Sequence, residues 1–471
     1  LRKSLSAFEV IVRFRGDVMK VFRVFKVLIV LAALLVVSYN LAYWGFRLAG
    51  PKSTLIRDVT VVDGGGVAAH KDVLIRGGRV VEIGNLSPQL GTRVIEGGDL
   101  TLIPGLISFN YERAAVLNAD YQSELLRHGV TTAVVSIGEK PEDLRKFIND
   151  NNYGPSAKLT GRSYVNLAPV LNYSDIIGVI GNSRELKVAA GGKDKWGAYL
   201  SKGLSNGAFA VHVNMRDLPG ARISSGDLSY IADLVSRQGA FLSVTVSNHS
   251  DNFLIQTQKT IDLGLDKQVP VHIHDLVVSD PVRGGAALVM LADRQARGLD
   301  ISTDRLPWLV QGNTLQRTVP EAEARFPKEQ VYIIPNRVPE TAVVTDLPPS
   351  EAGKLSRQPY GIWGPPAGWD PQVPGRDEVM FAPIVKKGGG WLGVSLGDVG
   401  LDEAVLRMSL LPARRLGLSD RGVIKKGAAA DLVLLDRSLQ VRSVWVNGKL
   451  LMKNGRLTGA ASGSVLKRTG Q

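Results

Sequence analysis

Two histidines one residue apart, His272 and His274 in VPVHIHD, and a third, His212 near the end of AFAVHV, are side chains that can hold a metal or move a proton. Side chains alternate along a strand, so His272 and His274 share one face. If that face lines an interior, His212, His274, Glu112 and Asp275 would supply imidazole and carboxylate donors of the kind zinc takes for hydrolysis. No spacing in the chain brings those four together; only the fold could. The other three histidines are expected in structural places: His70 in a turn, His128 at a helix end in RHGVTT, His249 in the loop SNHSD. There is no cysteine, which excludes disulfides, thiolate metal sites and a cysteine nucleophile.

The elements that must position these residues fall into three stretches. From Thr54 to Ile103, LIRDVTVVD, DVLIRGGRVVEIG and TRVIEGGDLTLIP alternate apolar and polar residues between turns, which predicts strands. From Pro104 to about Leu411, short β-branched runs (TTAVVS, AFAVHV, FLSVTV, VPVHIH, VYIIP) alternate with amphipathic stretches such as DYQSELLRHG, SYIADLVSRQG and IQTQKTIDLG. Repeated strand-then-helix units predict an α/β fold with a parallel sheet, and this many units favour a TIM-like (β/α)8 barrel. After Gly422 the strands return in GVIKKGAAADLVLLD and VRSVWVNGKLLMKNG. The expected organisation is a small β-sandwich made from both ends, 54–103 with 415–460, around a barrel over 104–414. Residues 345–376, rich in Pro, Gly and Trp, are expected as a long loop over a barrel face.

The first 26 residues hold seven basic and two acidic side chains, and the whole chain carries a net charge of +13. Val27 to Trp44, VLIVLAALLVVSYNLAYW, has no charge and ends in interfacial aromatics. A transmembrane helix over 27–46 is therefore expected, with a cytoplasmic tail over 1–26 that touches anionic lipid and a large domain on the periplasmic side of an inner membrane. No basic run is interleaved with aromatics in the large domain, so nucleic acid is not an expected partner.

With VIEGGDLTLIPGLI at one end and GLDEAVLRMSLLPARRLGLSDRGVIKKGAAADLVLLD at the other, the chain resembles the amidohydrolase superfamily, and within it the D-aminoacylase (N-acyl-D-amino-acid deacylase) branch. HGVTTAVVS, GAFAVHVNMRDLPGARIS and ARGLDISTDRLPW also have counterparts there, so the likeness runs from Thr54 to Leu457. The resemblance implies a metal at the strand C-termini, but it carries the branch's metal and catalytic positions onto altered residues. Its H-x-H pair falls on Asn110 and Glu112. Its cysteine falls on Ile137, its H-x-R segment near Thr245 and Ser247, its next histidine on Asp275, and its essential aspartate near Ile384. The G-H-x-T-L-R segment falls on Asn172 to Asp175. With Asp275 in the inward ligand position, His272 and His274 point to the outer helices; a slip or bulge of one residue would turn them inward.

Two functions are weighed on these grounds. In the first, the metal positions are degenerate and no cofactor is held. The chain is then a membrane-anchored, catalytically inactive accessory or scaffold subunit of an envelope complex, with the lipid bilayer and other membrane or periplasmic subunits as partners. In the second, it is a zinc-dependent hydrolase of C–N bonds in N-acyl amino acids or cell-wall fragments, with a relocated site at His212, His274, Glu112 and Asp275. The first is the expectation.

Overall fold

The computed structural model describes residues 25–40, 53–109, 119–137, 141–152, 163–182, 192–215, 223–246, 252–274, 286–287, 290–291, 293–294, 297–305, 315–318, 331–334, 341–344, 379–381 and 401–468. Residues 25–40 form a helix, α1, whose side chains are exposed throughout. No helix among the described residues is long and apolar enough to cross a membrane, so the expected span over 27–46 is not found; 41–46 and the basic tail over 1–24 lie outside the described residues. Residues 1–54 with 88–93 form one compact unit, and the rest of the chain forms a second.

Five strands from the first part of the chain are β1 (Ser53–Asp63), β2 (Gly66–Arg76), β3 (Arg79–Gly84), β4 (Thr92–Glu96) and β5 (Thr101–Pro104). A parallel series follows: β6 (Leu106–Phe109), β7 (Val130–Ile137), β8 (Asn166–Asn172), β9 (Ala210–Asn214), β10 (Phe241–Thr245), β11 (Val271–His274) and β12 (Ile301–Arg305). Next come β13 (Leu315–Thr318), β14 (Val331–Ile334), β15 (Thr341–Val344) and β16 (Val379–Phe381). Four strands close the chain: β17 (Leu432–Leu435), β18 (Val441–Val446), β19 (Lys449–Lys453) and β20 (Arg456–Leu457). The helices between the parallel strands are α2 (Ala119–Arg127), α3 (Pro141–Asn152), α4 (Tyr173–Asn182), α5 (Gly192–Ser205), α6 (Ser225–Arg237) and α7 (Phe253–Lys267).

The two ends of the chain meet as expected, but in one nine-stranded sheet of order β20-β19-β18-β17-β5-β1-β2-β3, with β4 beside β1, rather than in two stacked sheets. The reason is local. Leu432 to Leu435 pairs antiparallel with Thr101 to Pro104, which hydrogen-bonds the late strands directly onto the early ones. Ile56, Val59, Val73, Val80 and Leu102 from one end pack with Ile424, Leu432 and Trp445 from the other.

The second sheet has eight strands in the order β16-β12-β11-β10-β9-β8-β7-β6, and every neighbouring pair is parallel. It is strongly curled. Phe109 on β6 and His272 on β11 are separated by four strands, which in a flat sheet would hold them about 24 Å apart. Their rings stand 4.9 Å apart. Val211, Val213, Leu242, Val244, Val271 and Ile273 pack outward with helix residues such as Leu228, Ile231 and Ile261. Ile107, Phe109, Val134, Ala168, Val170, Ala210 and Phe241 form a separate inner cluster. The run VYIIP, expected among the parallel strands, is β14 and pairs antiparallel in a separate small sheet of order β13-β15-β14, whose other two strands the sequence pattern did not predict.

Gly105 marks the handover from the first sheet to the second. A Cβ there would stand 2.0 Å from Thr131 Oγ1, so only glycine fits, and its N–H donates to the Asp431 carbonyl at 2.8 Å.

Candidate functional site

The inner face of β9, β10 and β11 turns polar as it approaches the strand C-termini. In A-V-H-V-N, F-L-S-V-T and V-H-I-H the valines, leucine and isoleucine at alternate positions serve the helix layer, so period two sends His212, Ser243, Thr245, His272 and His274 inward. The register confirms one level: His212 pairs with Ser243, Ser243 with His272 and His272 with Ser302. One step further along, Asn214 pairs with Thr245 and Thr245 with His274.

These side chains are buried and hydrogen-bonded to one another. Ser243 Oγ lies 3.1 Å from His212 Nδ1, and Thr245 Oγ1 lies 3.4 Å from His212 Nε2, so hydroxyls on the neighbouring strand hold both edges of that ring. Ser302 Oγ lies 2.9 Å from His272 Nδ1. The His212 and His274 rings meet edge-on with centroids 5.7 Å apart, and His272 lies 6.3 Å from His274. Beneath them His272 abuts Phe109 and, at 6.2 Å, Phe241, whose other neighbour is the Arg415 guanidinium at 5.8 Å. The histidines therefore stand on an aromatic, water-excluding floor.

This placement corrects the expected outward direction of His272 and His274. Both face the interior, and Val271 and Ile273 face the helices. It also moves the reading of the β7 segment by one residue. Ile137 packs outward with Leu125, Leu126 and Leu144, while Ser136, level with Val170 on β8, is the inward residue. Thr245 does lie inward, against His212. Asn110, Glu112, Ser247, Asp275, Ile384 and His249 lie outside the described residues.

The segment expected near substrate, Asn172 to Asp175, opens α4. Asn172 Oδ1 accepts the Ser174 N–H at 3.0 Å. Tyr173 stacks edge-on at 5.2 Å against Trp196, which meets Tyr230 in the same way at 5.2 Å. Burial, helped by the Asp227 carboxylate, pushes the Tyr173 phenol up to about 12. That phenol stays protonated at neutral pH and is a packing group rather than a base. His70 pairs with Asp58 at 2.7 Å on the surface, and His128 Nε2 with Glu124 at 3.1 Å, as their expected structural places imply.

A zinc ion takes about three protein donors at about 2 Å. Two imidazoles meeting edge-on at 5.7 Å suit two of them. Among the described residues no group of three His, Cys, Asp or Glu converges, so any third donor comes from elsewhere. Sequence reasoning missed Ser136, Ser243 and Ser302. The signal for Ser243 was present in FLSVTV, where Ser and Thr alternate with the apolar residues as the histidines do in VHIH.

No protein-family model matches the chain. It is 23% identical to the D-aminoacylase of Alcaligenes xylosoxydans xylosoxydans over 484 residues, covering 89% of this chain and 98% of that protein. It is 22% identical to the N-acyl-D-aspartate deacylase of the same organism, covering 88% and 94%. A solved D-aminoacylase structure, described as defining a subset of amidohydrolases, superposes with a TM-score of 0.67 at 19% identity over 89% of this chain and all of that one. The N-acyl-D-glutamate deacylase of Bordetella bronchiseptica, solved with zinc and a phosphonate inhibitor, gives 0.66 at 18% identity over 88% of this chain and 100% of its own. The chain is thus a homologue of D-aminoacylases and N-acyl-D-aspartate and N-acyl-D-glutamate deacylases, with the amidohydrolase fold.

These relatives overturn the inactive accessory-subunit reading. Homology to deacylases runs through nearly the whole chain, and no membrane-crossing helix is found among the described residues. The reading also assumed an interior stripped of ligating side chains, whereas three histidines face it.

Proposed function

We propose that the chain is a metal-dependent hydrolase of the amide C–N bond of N-acyl amino acids, working from a relocated site at His212 and His274 inside a closed (β/α)8 barrel. The observation that carries this reading is the edge-on contact of those two buried imidazoles near the strand C-termini, where barrel enzymes place their chemistry. The substrate class follows from the homologues, which are named for N-acyl-D-amino acids.

Zinc, when bound, would supply Lewis-acid polarisation and an activated water. The chain's own residues prepare the place. Ser243 Oγ at His212 Nδ1 orients the ring, and the longer 3.4 Å approach of Thr245 Oγ1 leaves Nε2 as the nitrogen that would turn to a metal. His274 is held at the next level by the strand register. Phe109 and Phe241 close the space below and exclude water, which strengthens any charge interaction above them. Glu112 and Asp275 are the proposed further donors.

The test is to measure zinc in the purified protein together with hydrolysis of a panel of N-acetyl-D- and N-acetyl-L-amino acids. Stoichiometric zinc and release of free amino acid, both lost in a His212→Ala/His274→Ala variant that keeps its circular dichroism, are expected. Turnover that survives the double substitution would sink the relocated site.

A further inference from the structure

Ser136 is 5% exposed, and its hydroxyl has no hydrogen-bond partner among the described residues. It lies on the inner face of β7: Val134, two residues before it, belongs to the inner cluster, and Val135 and Ile137 belong to the outer one. A buried hydroxyl left unpaired is unfavourable and calls for a reason.

The strand geometry supplies one. An eight-stranded barrel with a shear of eight is offset by about one residue per strand, so a layer is built from alternate strands. The histidines obey this rule. His212 on β9 is level, through Ser243, with His272 on β11, yet it touches His274, two residues on and two strands over. Phe109 reaches His272 across the interior from a strand five places away, as the curl of the sheet allows. The same step taken the other way leads from His212 to Asn172 on β8, and from there to β7. Val170 is level with Ser136, so the residue two strands from His212 and two residues lower is Ser136. Ser136, His212 and His274 therefore occupy one layer, on three alternate strands.

We infer that the Ser136 hydroxyl is a ligand-binding group of the His212/His274 site and donates its hydrogen bond to the acyl oxygen of the bound amide. This rests on the hydrolase reading above. It explains why the hydroxyl has no partner among the described residues: the partner is the substrate. Such a bond strengthens as the carbonyl oxygen gains charge, so it favours the transition state over the bound substrate.

The experiment compares wild type, Ser136→Ala and Ser136→Thr, free and with N-acetyl-D-glutamate, N-acetyl-D-aspartate and N-acetyl-D-methionine. Ser136→Ala is expected to raise the ligand-free melting temperature by about 1–2 °C, because an unpaired polar group is gone. It is also expected to lower kcat about tenfold or more with little change in KM. Ser136→Thr, which keeps the hydroxyl, is expected to restore part of the rate. A purely structural serine would give the opposite: loss of melting temperature on Ser136→Ala, with kcat per folded molecule unchanged. Wild-type turnover retained in full by Ser136→Ala overturns this inference alone. A wild type that neither turns over nor is stabilised by any of the three compounds overturns the hydrolase reading and this inference together.

Discussion

The two ends of the parallel strands are built on different principles. At the N-terminal ends, polar groups are knitted to one another. Asp431 accepts from Asn166 Nδ2 at 2.9 Å, from the Asn447 backbone N–H at 2.6 Å and from the Arg421 guanidinium. Asn447 Nδ2 donates to Asn166 Oδ1 and to the Ser462 carbonyl, both at 2.8 Å. Residues 462–468 then run across the strand entrances. Leu466 N–H donates to the Leu167 carbonyl at 2.7 Å, and Arg468 donates to the carbonyls of Ala208, Leu204 and Gly239. Gly463 passes so close that a Cβ would stand 2.1 Å from the Val165 carbonyl. At the C-terminal ends, by contrast, imidazoles and hydroxyls are turned inward, and at Ser136 one is left with capacity to spare. A protein settles its polar groups internally where it needs a fixed frame. It leaves them addressed to a ligand where it needs chemistry.

Substitutions at the two ends should therefore fail in opposite ways. The largest effect is expected from His212→Ala with His274→Ala: turnover falls by about 10³-fold or more while the melting curve moves little. An unfolded double variant would erase the distinction. Next is Asp431→Ala at the other end, which takes the shared acceptor from the Arg421 guanidinium, Asn166 Nδ2 and the Asn447 N–H and should cost about 3–5 kcal/mol in denaturant unfolding. Its kcat per folded molecule should stay at the wild-type value; a matching loss of kcat would show the two ends to be coupled. Arg468→Ala, which releases three carbonyls, should cost about 1–3 kcal/mol with the same indifference of kcat.

The smallest effect lies on α2, outside both ends. The hydrogen bond from His128, with help from Arg127 and against the cost of burial, pulls the Glu124 carboxyl down from 4.5 to about 2. A depressed carboxylate contributes stability that is complete above about 4.5 and lost as pH falls towards 2. Glu124 is half-exposed, so the contribution is no more than about 1 kcal/mol. Glu124→Gln should lower stability above about pH 4.5 by that amount and leave little difference from wild type near pH 2, so its curve is flatter across that window. An unchanged acid limb would show the pair to be idle.

Much of this contrast was readable from the residues, but unevenly. The strands β7, β9, β10 and β11 fall where TTAVVS, AFAVHV, FLSVTV and VPVHIH predict them, because β-branched runs between turn residues leave little choice. Strand β8, NLAPVLN, was not picked out: six of its seven residues are buried, so it shows no alternation, and Pro169 argues against a strand. The direction of His272 and His274 was not readable either. Both faces of such a strand are covered, so polarity alone cannot say which points inward. The resemblance pointed the wrong way because it put Asp275 in the inward position, and on β7 it marked Ile137, one residue from the inward Ser136. The most recognisable motif, which runs through Asp431, describes the frame. That is why it identified the fold and said little about the chemistry.

The knot around Asp431 also has a consequence in time. It ties Gly105 and Asn166 to Arg421, Asn447 and Ser462, residues about 300 positions further along the chain. A nascent polypeptide halted on the ribosome before Ser462 would carry its parallel strands without the clasp that secures their entrances. Contacts so remote in sequence form late, so completion of the fold waits on the stretch from Arg421 to Ser462, and a chain halted before it is left open to chaperones and proteases.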